Sequence, residues 1–309
     1  MAPISERSML AVFIVAVIIL LILDLFVFHR KNKPIRIKPA MLWSGFWISL
    51  SLLFNLLILH LFGREKALNF LTGYLIEEAL SVDNLFVFLI IFKYFGVTGQ
   101  YQRKVLFWGI LGALIMRALF IAAGVTLIKQ FHFIIYLFGA FLIYTGIKMF
   151  THDEEEVEPE GNLLLRLFRR FFPVSKKFHR DRFFLKVKNR WIATPLFVVL
   201  LAIESTDVIF ALDSIPAVLA ITTDPFIVYT SNICAILGLR ALYFALAGIM
   251  ETFQYLNYGL SAILIFVGCK MLISEFYQID VIIALGVVAM MLSVSILASI
   301  LFPAKAEIS

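Results

Sequence analysis

Apolar residues in this 309-residue chain gather into nine blocks of spanning length, near 8–28, 40–62, 69–95, 105–128, 131–150, 192–220, 226–250, 256–275 and 279–302. A hydrocarbon core about 30 Å thick takes roughly 20 residues of helix to cross, and backbone in lipid must satisfy its own hydrogen bonds. The pattern predicts an all-α polytopic membrane protein of about nine transmembrane helices. The third and sixth blocks read as the weakest, because acidic residues interrupt them. The first block is longer than a signal-peptide core and lacks a basic lead, so it is expected to stay as a helix. Composition agrees: 62% of residues are apolar, 16% are charged and mean hydropathy is +0.97, against about 45–50% and 25% in soluble domains.

Net charge is +6, but its placement matters more than its size. The connection after the first block carries Arg30, Lys31, Lys33, Arg36 and Lys38, the third-to-fourth connection Arg103 and Lys104, and the 151–190 segment ten bases. Nine spans put all three on one side. The other side holds only Arg7, Arg64, Lys66 and Lys129. Positive loops stay cytoplasmic, so the chain is expected in the inner (plasma) membrane with its N-terminus outside and its C-terminus inside. Segment 151–190 passes from an acidic cluster to a basic, aromatic stretch, which predicts a solvated linker with an amphipathic helix on lipid headgroups. Cys234 and Cys269 both lie in apolar blocks and write no disulfide framework or thiolate metal site.

Comparing the chain with itself reveals a repeat. Ser81-Val-Asp83 matches Ser205-Thr-Asp207, Ile-Leu-Gly112 matches Ile-Leu-Gly238, Arg117-Ala-Leu-Phe matches Arg240-Ala-Leu-Tyr, and Gly146-Ile-Lys-Met matches Gly268-Cys-Lys-Met, in order and at a nearly constant offset. Helices three to five thus recur as helices six to eight. An odd number of spans separates the two starts, so the copies insert in opposite senses, the arrangement in which secondary transporters form a midplane substrate site. The expected organisation is two peripheral helices in 1–66, a first three-helix repeat in 67–150, the charged linker in 151–190, an inverted repeat in 191–277, and a last helix with the tail in 278–309. Lys148 and Lys270 are expected to snorkel from helix ends, and Asn55 to bond a neighbouring helix.

The third helix carries Glu77, Glu78, Asp83 and Asn84, and the sixth Glu204, Asp207 and Asp213. An ionisable residue at a helix centre costs about 2.5–3.5 kcal/mol on insertion scales, so these acids do not face lipid. Arg117 and Arg240 can neutralise two of Glu77, Asp83, Glu204, Asp207 and Asp213; three negative charges then remain to be balanced by a cation, by protons, or by both in exchange. The oxygen-only neighbourhood, with Asn84, Asn232, Ser81, Ser205 and Ser214, favours hard ions such as Mg²⁺, Ca²⁺ or Mn²⁺. Glu204 and Asp207 share a helical face, whereas Asp213 cannot join them on a straight helix. Pro216 is expected to open the helix there and free carbonyl ligands.

The runs Gly-Tyr-Leu-Ile-Glu77-Glu78-Ala-Leu-Ser-Val-Asp83-Asn84, Glu204-Ser-Thr-Asp207-Val-Ile-Phe-Ala-Leu-Asp213-Ser-Ile-Pro216 and Thr222-Thr-Asp-Pro-Phe-Ile-Val-Tyr-Thr-Ser-Asn232 resemble the TerC family of integral membrane proteins, in particular its Alx-type members, within the lysine-exporter-like superfamily. The resemblance covers nearly the whole chain. It implies manganese efflux with a pH response and, by the family's name, a link to tellurite resistance. It assigns Glu77, Asp83, Glu204, Asp207 and Asp213 to the metal pathway; Asn84 joins them as a neighbouring ligand, and Glu78 departs from the Alx-type pattern. The expectation is a secondary transporter, not an enzyme, exporting Mn²⁺ in exchange for protons between helices three and six, with no resident cofactor. Its partners are the divalent cation, protons and the bilayer, with no nucleic acid. Rival readings are transport of Ca²⁺ or another cation, and a non-transporting membrane partner that delivers metal to exported enzymes. An intramembrane aspartyl protease is disfavoured because its Gly-x-Gly-Asp motif is missing.

Overall fold

The computed structural model describes residues 6–29, 37–131, 133–151, 172–175, 182–187, 190–246, 255–274 and 276–302. The side chains of Asp24 and Asp83, and most of segment 151–190 with its expected amphipathic helix, lie outside the described residues. Nine helices are described: α1 (Glu6–His29), α2 (Ile37–Phe62), α3 (Arg64–Tyr94), α4 (Gly99–Gln130), α5 (Ile134–Thr151), α6 (Pro195–Leu219), α7 (Pro225–Leu246), α8 (Leu256–Ile273) and α9 (Val281–Leu301). Each coincides with one apolar block. Seven, α2 and α4 to α9, are long and apolar enough to cross a membrane. The apolar part of α1 is the shorter Ser8–Leu23, and α3 falls outside the seven through its charged residues. The chain is an all-α, multi-pass integral membrane protein.

Local chemistry sets the boundaries. Gly63 alone separates α2 from α3, at φ 89°, a left-handed conformation that only glycine adopts without strain. Pro195 and Pro225 open α6 and α7, where a missing N–H costs nothing. Asp224 caps α7 by accepting from the Phe226 amide at 3.0 Å, and Asp280 caps α9 through the Ile282 amide at 2.7 Å, each satisfying an otherwise orphaned donor.

Four sequence expectations need correction. The apolar window of α6 has a mean hydropathy of 2.0, against 1.4 for α7, which is the weakest of the seven spans; the apolar run from Leu196 to Ile203 outweighs the acids that follow. Helix α6 is also unbroken across Asp213 and Pro216. The proline lies in its last turn, where it forfeits one hydrogen bond and the helix ends three residues later. Lys270 does not snorkel: it is buried at 8% exposure. Asn55 also leaves its buried Oδ1 without a partner among the described residues, so the expected interhelical bond is not seen through that atom.

Matched helices of the two repeats run antiparallel. Lys66 near the start of α3 donates to Asp224 Oδ2, just after α6, at 2.7 Å, while Phe88 and Phe92 late in α3 share one buried apolar cluster with Leu196 and Val199 early in α6. In α4 and α7 the Tyr243 hydroxyl donates to Gln102 Oε1 at 3.1 Å and the Tyr229 hydroxyl to the Ala118 carbonyl at 2.9 Å, so chain numbers rise in one as they fall in the other. The α5–α8 pair is the most extensive interface and is reciprocal. A methyl built on Gly268 would lie 2.7 Å from the Gly139 carbonyl and 3.1 Å from the Ile143 amide; one built on Gly146 would lie 2.8 Å from the Ser261 carbonyl and 3.1 Å from the Ile265 amide. Gly146 and Gly268 are the pair matched in sequence. Small residues allow this approach because in lipid helices are held by packing.

Helix α7 is the most enclosed span, with 83% of its apolar window buried against 17% for α2 and α9. Helix α3 packs on α2, α6, α7 and α9, and α4 on α6 and α7, so α3, α4, α6 and α7 surround the acids. An unexpected antiparallel hairpin, β1 (Phe184–Val187) with β2 (Arg190–Ala193), precedes α6. The Lys104 ammonium sits 4.8 Å from the Phe183 ring centroid, a cation–π contact that places this hairpin and the α3–α4 connection at one end of the bundle. At the opposite end Lys66 pairs with both Glu6 and Asp224, tying α1 and α3 to the turn before α7. Burial pulls the Lys66 pKa down, but the hydrogen bonds and charges of Asp224 and Glu6 outweigh it and leave the value raised.

Candidate functional site

Midway along α3 Glu77 is fully buried. Helix α6 carries Asp207, 4% exposed, and Ser214, 1% exposed, which lie two turns apart and so on one face. Arg117 of α4, 1% exposed, enters between these helices. Its Nη1 forms an ion pair with Glu77 Oε1 and donates to Ser214 Oγ at 3.2 Å; its Nη2 reaches Asp207 Oδ1 at 3.5 Å. One guanidinium therefore joins the first helices of both repeats at a point where both acids are withdrawn from solvent. Glu77 Oε2, Asp207 Oδ2 and Arg117 Nε have no hydrogen-bond partner among the described residues.

Glu204 lies one turn before Asp207, close enough for the two charges to repel. Its carboxylate rests against Gly112 of α4, in space that any β-carbon at that position would occupy. Asp213 is turned away from this group, as an unbroken helix requires: its Oδ1 accepts a hydrogen bond from Thr145 Oγ1 of α5 at 3.2 Å. Asn84 is buried at 3% exposure with its Nδ2 unpartnered, and Ser81 Oγ is likewise buried and unpartnered among the described residues. Ser205 and Thr206 instead donate to carbonyls of their own helix, Ala202 at 2.8 Å and Ile203 at 2.8 Å.

Of the acids expected to act together, the structure gathers Glu77 and Asp207, with Glu204 beside Asp207, and leaves Asp213 on the α5 side. Among the described residues no three Asp, Glu, His or Cys side chains converge tightly enough to hold a metal ion. Asp83 lies outside that comparison. Glu78 projects about 100° round α3 from Glu77, and its Oε1 is 4.0 Å from a methyl built on Gly238, on the α7 side. Sequence had marked Arg117 as a pairing candidate through its match to Arg240. Nothing in the sequence marked Thr145, and Gly112 carried only a repeat signal, with no hint that it makes room for a carboxylate.

Relatives match nearly the whole of this sequence. Residues 62–307 match the model of the integral membrane protein TerC family. An uncharacterized membrane protein of Myxococcus xanthus, STKORF319, is 50% identical over 298 residues, which is 96% of this chain and 93% of that protein. A protein of Escherichia coli (strain K12) named Alx, provisionally described as a membrane-bound redox modulator, is 48% identical over 285 residues, 89% of each chain. An uncharacterized membrane protein of Rickettsia bellii is 41% identical over 290 residues, 94% of this chain and 96% of that one. No solved structure matches. With a family match running from the end of α2 past α9, and relatives aligned over 89–96% of its length, the chain belongs to the TerC family of integral membrane proteins.

Proposed function

We propose that this protein is a secondary transporter that exports divalent cations, Mn²⁺ foremost, from the cytoplasm in exchange for protons. One observation carries the reading: buried carboxylates from the first helices of two oppositely running repeats meet at one centre, and acids there outnumber bases. Such a centre keeps its charges only if a cation or protons compensate them. Glu77, Asp207 and Glu204 form the core of the pathway, with Asp83, Asn84 and Asp213 completing the oxygen ligands as the repeats move. Oxygen ligands suit Mn²⁺, Ca²⁺ and Mg²⁺ alike, so competition identifies the ion. Coupled carboxylates titrate together, which gives protons the same seats that the metal leaves. The basic connections support a cytoplasmic hairpin end of the bundle, with the chain in the inner membrane.

The redox description borne by the Alx relatives directs attention to thiols. Here Cys234 is buried in α7 and Cys269 exposed on α8, both free, so the carboxylates carry the proposal. In everted membrane vesicles, an acid interior should drive uptake of ⁵⁴Mn²⁺, and E77Q or D207N should cut it by at least about tenfold at unchanged protein level. Uptake equal to wild type in both variants contradicts the assignment. Excess Ca²⁺ blocking uptake as well as unlabelled Mn²⁺ does would replace Mn²⁺ by a broader cargo.

A further inference from the structure

The geometry points to Arg117 as a built-in counter-ion: a tethered cation that occupies the Glu77–Asp207 pair when the transported ion is absent and withdraws when that ion binds. This rests on the transporter reading above. An exchanger of this kind must change access both with the metal bound and, on return, metal-free with protons on part of its acids. Loaded, a divalent cation balances the acids; metal-free, the exchanged protons neutralise only part of Glu77, Asp207 and the neighbouring Glu204, and a carboxylate left ionised would be stranded in low dielectric without Arg117, where uncompensated charge is prohibitive.

Four features fit a replaceable partner better than a permanent brace. Arg117 belongs to α4, so it can shift relative to both acid-bearing helices. It meets each carboxylate through a single nitrogen, not through the two-pronged fork that makes arginine–carboxylate pairs strongest, and the second oxygen of each acid stays open among the described residues. The Asp207 contact is long at 3.5 Å. Ser214, 3.2 Å from Nη1, is a neutral acceptor that can keep the guanidinium solvated while it leaves the acids. Arginine also suits the task because its charge persists at any physiological pH: the counter-ion stays constant while the carboxylates exchange protons and metal.

A brace and a counter-ion respond oppositely to removal. Purified R117Q should bind Mn²⁺ at least about tenfold more tightly than wild type, because a competing charge is gone; free Mn²⁺ is read from its aqueous six-line EPR signal. In proteoliposomes R117Q should lose net Mn²⁺ efflux by about tenfold or more, yet keep exchange of ⁵⁴Mn²⁺ for unlabelled Mn²⁺, a cycle in which the site never returns metal-free. R117K retains the charge and should keep the ratio of net efflux to exchange within about threefold of wild type; this arm stands by itself if R117Q is not monodisperse on size exclusion. Weaker binding by folded R117Q, loss of exchange together with efflux, or a collapse of that ratio in R117K overturns the inference while leaving transport intact. Wild-type protein that neither effluxes nor exchanges Mn²⁺ overturns the transporter reading itself.

Discussion

At the scale of single residues, Gly112 shows how an absent side chain shapes this centre. Glu204 fills the space a β-carbon would take, and it is the far end of a flexible side chain, so G112A should move the carboxylate while sparing the helices. The expected result is thermal stability within about 1 kcal/mol of wild type and Mn²⁺ transport reduced several-fold, checked by a melting curve beside vesicle uptake. A large stability loss with normal transport in the surviving protein contradicts this placement. Spacing alone foretold that Glu204 and Asp207 share a face and that Asp213 does not, because helical geometry fixes both. It could not foretell Thr145 as the partner of Asp213, since that contact depends on how α5 crosses α6. Arg117 stood between these cases: its match to Arg240 marked it as special, and only the packing shows which acids it meets.

At the scale of elements, the reciprocal α5–α8 contact makes a specific demand. A methyl at Gly268 would sit 2.7 Å from a backbone carbonyl of α5, whereas Gly286 of α9 has open space around it. G268A should destabilise the protein by roughly 1–3 kcal/mol through overpacking, while G286A should be neutral or stabilising by up to about 1 kcal/mol; melting of the two variants in the same detergent compares them. Equal melting temperatures would remove the interface from the account. Apolar blocks announced all nine helices because lipid demands long continuous runs. The β1–β2 hairpin was hidden, since its residues sit inside a basic, aromatic segment whose composition matches a surface helix equally well. The continuity of α6 was hidden for another reason: a proline three residues from a helix end and one in mid-helix look alike until the end is known.

At the scale of the whole molecule, the ion group at Lys66 joins α1, α3 and the turn before α7. Because the pKa of Lys66 is raised in the folded protein, its stabilisation is complete below the ordinary lysine value of about 10.4 and fades as pH rises through the folded value. K66M should therefore lower the Tm at pH 8 by a few degrees at most, with the gap to wild type closing at strongly alkaline pH. A gap that widens with pH would contradict the assignment. The opposed running of the two helix sets was legible because an odd number of spans separates the repeat starts, and the structure gives it contacts: Lys66 with Asp224 at one end, Tyr243 with Gln102 at the other. Basic residues suggest which end faces the cytoplasm through a rule about membrane insertion, which lies outside the packing of the folded chain.

The central claim is that cations cross through the carboxylates joined by Arg117, with protons moving the other way. Its most direct test uses purified protein in liposomes, with a Mn²⁺ gradient and a pH-sensitive dye inside, comparing wild type with D207N. The account predicts Mn²⁺ flux in wild type with a simultaneous opposite proton flux, and loss of both in D207N. Mn²⁺ flux without any pH change, flux undiminished in D207N, or no flux in active wild-type preparations would contradict it.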